Sequence, residues 1–103
     1  MASSKEYLYF ILDQLSGLDG IRYNQMMGEY IIYHNDKISA YLCDNRLLIK
    51  PVPAAAKMLP DAKYESPYDG AKSMLLVENT EREFLTKLFE SIYDELPEPK
   101  KKG

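Results

Sequence analysis

Apolar residues follow two different rhythms along this 103-residue chain, and the change from one to the other marks its elements. Near the N-terminus Leu8, Ile11, Leu12 and Leu15 recur at helical spacing, with Tyr7 and Phe10 widening the stripe. Ser3 and Glu6 form a Ser-x-x-Glu capping box ahead of it. The pattern predicts a helix from Ser4 to Ser16, closed by Gly17 in a left-handed conformation. From Ile21 to His34 the residues are strand formers, and they read as one long bent strand with isolated Gly28 at a bulge or a close backbone approach. Asn35-Asp36 and Asp44-Asn45 then separate strand-like runs as two-residue loops, because Asn and Asp tolerate the positive φ of tight hairpin turns.

Two-residue turns set a register. Taken literally, they pair Tyr33 with Ile38, Ile31 with Ala40, Leu42 with Leu47 and Ala40 with Ile49. Ile31, Tyr33, Ile38, Ala40, Leu42, Leu47 and Ile49 then share one face, expected to be the core face under the helices. The opposite face lines up Tyr30, Tyr41 and Leu48 with Ile32 beside them, and it is too apolar for an ordinary solvated surface.

Beyond Lys50, Pro51-Val52-Pro53 stops the sheet, and Pro53 opens a short helix through Met58 that Pro60 ends. Asp61 to Lys72 reads as a long ordered loop with a brief edge strand near Tyr64. Met74-Leu75-Leu76-Val77 has the continuous apolar character of a buried strand. Thr80 and Glu83 form a second capping box, followed by Phe84, Leu85, Leu88, Phe89 and Ile92 at helical spacing up to Pro97. The expected order is helix, three strands, short helix, one or two strands, helix. Residues 1–96 read as a single domain and 97–103 as a flexible Pro/Lys tail.

Composition narrows the chemistry. The net charge is −3, and because Lys100, Lys101 and Lys102 lie in the tail the body is more acidic still, which opposes a broad phosphate-binding surface. Direct nucleic-acid binding is therefore not expected. A polar N-terminus without a long apolar run predicts neither a secretion signal nor a membrane span, and a lone Cys43 suits a reducing, cytoplasmic setting. His34 and Cys43 are the single histidine and cysteine, and they fall at opposite ends of the strand region, roughly 20 Å apart at about 3.3 Å per residue. A thiolate and imidazole pair is thus excluded, scattered acids such as Asp61, Glu65, Asp69 and Glu78 show no metal-ligand spacing, and Gly70-Ala71-Lys72-Ser73 lacks the upstream glycine of a phosphate loop. No catalytic, cofactor-binding or metal residues are expected, and the chain reads as non-enzymatic.

Several strings together resemble the N-terminal domain of the TfoX/Sxy family. They are Met26-Met27-Gly28-Glu29-Tyr30, Tyr33-His34-Asn35-Asp36-Lys37, Cys43-Asp44-Asn45-Arg46-Leu47-Leu48-Ile49-Lys50-Pro51 and Pro67-Tyr68-Asp69-Gly70-Ala71-Lys72-Ser73-Met74. Met26, Met27, Gly28, Asp44 and Lys50 carry the motif; Gln25, Met27, Glu29 and Asp36 stand where the family usually has a basic residue, phenylalanine and two glycines. The resemblance implies an α+β domain with an antiparallel sheet in a secretion-chaperone-like arrangement. It also implies a regulator of competence genes acting with transcription proteins. The expected function is accordingly a protein-interaction module, a homodimer or the holder of a protein partner, working through Tyr30, Ile32, Tyr41 and Leu48 or through Tyr68 and Lys72 of the long loop. The alternative expectation is a small ligand-binding or enzymatic domain with a pocket near Gly28 and the Tyr64 to Lys72 loop.

Overall fold

The computed structural model describes residues 4–26, 29–66 and 70–97. The elements run α1 (Lys5–Gln14), β1 (Ile21–Met26), β2 (Glu29–His34), β3 (Lys37–Cys43), β4 (Arg46–Ile49), α2 (Pro53–Met58), β5 (Tyr64–Glu65), β6 (Met74–Val77) and α3 (Arg82–Tyr93). The strands form one antiparallel six-stranded sheet in the order β1-β2-β3-β4-β6-β5. The fold is α+β, as the sequence led us to expect.

Local chemistry explains most boundaries. The Ser4 hydroxyl accepts a hydrogen bond from the Tyr7 N–H at 3.1 Å and caps α1. The cap is thus Ser4, and Ser3 lies outside the described residues. Leu15 closes the helix, and the left-handed glycine is Gly20 at φ 78° rather than Gly17, with the Gly20 carbonyl accepting from the Asn35 N–H. A Cβ at Gly20 would run into the Asn35 side chain, so the position suits only glycine. Both expected hairpin turns are present: Asn35, Asp36, Asp44 and Asn45 all have positive φ, between 50° and 70°. Pro53 opens α2, whose Ala54 N–H donates to the Glu95 carboxylate at 2.7 Å. The box expected at Thr80 does not form. Glu81 holds the cap position of α3 without a side-chain bond, while the Thr80 carbonyl accepts from the Gln14 amide.

The structure corrects the strand reading twice. Residues 21–34 are a hairpin and not one bent strand: Ile21 pairs with His34 and Met26 with Glu29, which leaves Met27 and Gly28, outside the described residues, between the two strands. The β2–β3 register also shifts. Tyr33 pairs with Ile38 as expected, but Ile32 pairs with Ala40 and Ile31 with Tyr41, so Ser39 is an extra residue in β3, a bulge. A one-residue shift exchanges faces. Tyr30 and Ile32 therefore point toward the helices with Ala40, Leu42, Leu47, Ile49, Leu75 and Val77, whereas Ile31, Tyr33 and Ile38 lie on the opposite side.

The core forms between that helix-side face and Leu8, Ile11 and Leu15 of α1, Ala55 of α2, and Leu85, Leu88, Phe89 and Ile92 of α3. All three helices thus cover one side of the sheet. An ion pair from Arg82 to Asp13, with a further bond from Arg82 to Ser16, ties the start of α3 to the end of α1. The lysine-rich tail, 98–103, lies outside the described residues.

Candidate functional site

No helix lies against the other side of the sheet among the described residues. There Cys43, Leu48 and Met74 form a separate small cluster, packed with Tyr41 and Leu76. Antiparallel pairing builds it: Tyr41 opposes Leu48, and Leu48 opposes Leu76. Ile31 joins the row across β3 opposite Tyr41 and is 5% exposed. Tyr33, Ile38, Tyr41 and Leu76 are the partly buried members, so they supply the apolar surface that a partner would meet.

One end of this face is closed by charge. The Arg46 guanidinium pairs with Glu65 across to β5, approaches Asp44 at 4.0 Å and donates to the Cys43 carbonyl at 3.3 Å. Glu29 stands next to Cys43, and its carboxylate accepts a hydrogen bond from the thiol. Burial, with Glu29 adding to it, pushes the Cys43 thiol up to about 12, so it stays protonated and unreactive at neutral pH.

At the other end a cleft of about 410 Å³ opens between the sheet and the 70–74 segment. Tyr41, Lys50, Pro51, Lys72 and Met74 line it. Lys50 reaches this side because it continues the alternation of β4, its N–H donating to the Ser39 carbonyl at 3.2 Å. A second cleft, of about 490 Å³, lies between the end of α1 and β1, and its charged group Arg22 is already paired with Asp36 at 3.0 Å.

His34 belongs to the helix side. Its ring sits 4.8 Å from Tyr93 and 6.5 Å from Phe89, and its Nδ1 has no hydrogen-bond partner among the described residues. Lys37, paired opposite it, places its ammonium 4.2 Å from the Tyr93 ring centre and donates to the Tyr93 carbonyl. Burial lowers the His34 pKa, Glu90 opposes that effect and Lys37 reinforces it. His34 and Cys43 thus occupy opposite faces as well as opposite ends of the strands. Among the described residues no group of three or more His, Cys, Asp or Glu side chains is placed to hold a metal ion, and no helix is long and apolar enough to cross a membrane.

The residues expected to form one interaction face are divided by the sheet. Tyr41 and Leu48 lie on the helix-free side, with Lys72 exposed in the cleft wall. Tyr30 and Ile32 are buried in the helix-side core at 3% and 0% exposure, Tyr30 edge-on to Tyr23 at 5.9 Å. Tyr68 lies outside the described residues, as do Met27 and Gly28 of the motif. Met26 is exposed at the end of β1, Asp44 sits in the β3–β4 turn, and Lys50 follows β4. Sequence reasoning missed Ile31, Tyr33 and Ile38, because nothing local announces the bulge at Ser39.

An uncharacterized 12.7 kDa protein in the trpE 5' region of Spirochaeta aurantia is 34% identical to this chain over 83 residues, 81% of this chain and 72% of that protein. The chain belongs to that protein's family. No family model and no solved structure matches the chain.

Proposed function

We propose that this chain is a non-enzymatic interaction module of the TfoX N-terminal kind, with a regulatory role, which holds a protein partner against the helix-free face of its sheet. One observation carries the reading. Tyr33, Ile38, Tyr41 and Leu76 present partly exposed apolar surface over buried Ile31 and Leu48 on a side that no described helix covers. The motif strings and the α+β fold support the family resemblance, and the buried, protonated Cys43 thiol suits a structural role.

The test is affinity capture from the native host with wild type, Tyr41→Glu and Tyr23→Glu. Tyr23 is exposed on the helix side, so its variant controls for added charge. A protein retained by wild type and Tyr23→Glu but lost with Tyr41→Glu supports the reading. Equal retention by all three contradicts it, and sedimentation of the same set shows whether the partner is a second copy.

A second reading, a small ligand-binding or enzymatic domain, is favoured by the cleft along 70–74. The cleft touches neither Met26 nor Glu29, the described neighbours of Gly28. A thermal shift with a small molecule that disappears in Lys72→Gln would support this reading, and unchanged melting across an anion panel would contradict it.

A further inference from the structure

We infer that the cleft at the Lys50 end of the helix-free face takes a carboxylate from an acidic, apolar segment of the partner protein, with Lys50 and Lys72 as its charge contacts. The inference rests on the outer-face reading above and specifies the chemistry of the partner. Three observations converge on it.

The first is charge. Among the described residues lining the cleft, the ionisable groups are Tyr41, Lys50 and Lys72, and none is an acid, although the whole chain carries −3. The second is that these lysines have no ion-pair partner among the described residues. Arg22, Arg46 and Arg82 all form ion pairs with nearby acids, and Lys37 is bound over Tyr93. Neither Lys50 nor Lys72 makes an ion pair among the described residues. Two like charges beside one cleft favour an anion between them, which relieves their mutual repulsion.

The third is the polarity of the whole face. From the lysine cleft the face runs past partly exposed Tyr41 and Leu76, over buried Leu48 and Met74, to the end where Glu29 and Asp44 stand, while Glu65 opposes Met74 and is paired with Arg46. A polyanion such as a nucleic acid would meet repulsion at that far end. A short segment with one acid seated at the lysines and apolar residues over Tyr41 and Leu76 meets complementary chemistry at both. The cleft is half open to solvent along the sheet face, so a peptide can lie across it.

The experiment uses the full-length 15N-labelled chain and two peptide probes, N-acetyl-Leu-Glu-Leu-Glu-amide and its counterpart with glutamine in place of each glutamate. We expect the acidic peptide to shift the amide signals of Tyr41, Lys50 and residues 70–74, and to bind about fivefold more tightly than the glutamine peptide, the scale of two solvent-accessible ion pairs. In Lys50→Gln/Lys72→Gln the two peptides should bind equally. Both lysines are surface groups, and an unchanged melting temperature confirms that the variant is folded. Equal affinity of the two peptides for wild type overturns the inference, as does a preference that survives in the double variant. Tighter binding of a 12-nucleotide single strand at the same signals would also overturn it. If the glutamine peptide occupies the outer face as well as the acidic one, the lysine inference fails while the outer-face reading stands. If neither peptide moves an outer-face signal, the lysine inference fails and the capture experiment decides the other.

Discussion

His34 and Cys43 are each made inert by the side of the sheet they occupy. His34 lies under Phe89 and Tyr93 with Nδ1 unpaired among the described residues, so protonation would place a charge in the core beside Lys37, offset in part by Glu90. Its folded pKa is therefore below the unfolded value of about 6.5. The stability this represents is fully present above that pH. It is lost as pH falls below it, because the unfolded chain then binds a proton that the folded chain resists. Thermal melts between pH 8 and 5 should show wild type losing melting temperature below pH 6.5 more steeply than His34→Gln, and parallel curves would contradict this. For Cys43, a thiol pushed up to about 12 leaves a thiolate fraction at pH 8 about a thousandfold below that of an unfolded cysteine. Iodoacetamide should accordingly modify the native protein about a thousandfold more slowly than the denatured one.

At the scale of elements, what was legible in the sequence was what local chemistry decides. Asn35-Asp36 and Asp44-Asn45 announced their turns because positive φ restricts the residue types, and Pro53 announced α2. The helices around Ile11 and Phe89 followed from spacing alone. Less local features were hidden. Residues 21–34 read as one run of strand formers, and only pairing shows that β1 and β2 are two antiparallel strands. Ser39 is equally silent, since a bulge depends on how two strands meet, yet it decides which side Tyr30, Ile31 and Ile32 face. The caps give a paired prediction for urea denaturation. Ser4→Ala should lose about 1 kcal/mol because its hydroxyl caps α1, whereas Thr80→Ala should be near neutral because only the Thr80 backbone is engaged. Phe89→Ala, at the fully buried centre of α3, should lose about 3 to 5 kcal/mol.

On the scale of the whole molecule, the asymmetry of the sheet organises the account. Three helices and most of the apolar side chains cover one side, where they form the core. The other side carries a smaller apolar cluster between the end that holds Glu29, Asp44 and Arg46 and a lysine cleft. The sequence signalled an excess of apolar residues on a second face, but the bulge assigned half of them to the wrong side, so Tyr41 and Leu48 remain from the expected set while Tyr30 and Ile32 are core. The relative from Spirochaeta aurantia aligns over a length that includes most of these strands, and the same division of faces is expected there. The central claim is that the helix-free side is where a partner sits. Site-specific photo-crosslinking in the native host tests it most directly, with a benzophenone amino acid in place of Tyr41 or, separately, of Tyr23 on the helix side. The account predicts a discrete crosslinked product from position 41 and none from position 23. Crosslinking from position 23 alone, or none from position 41, would contradict it.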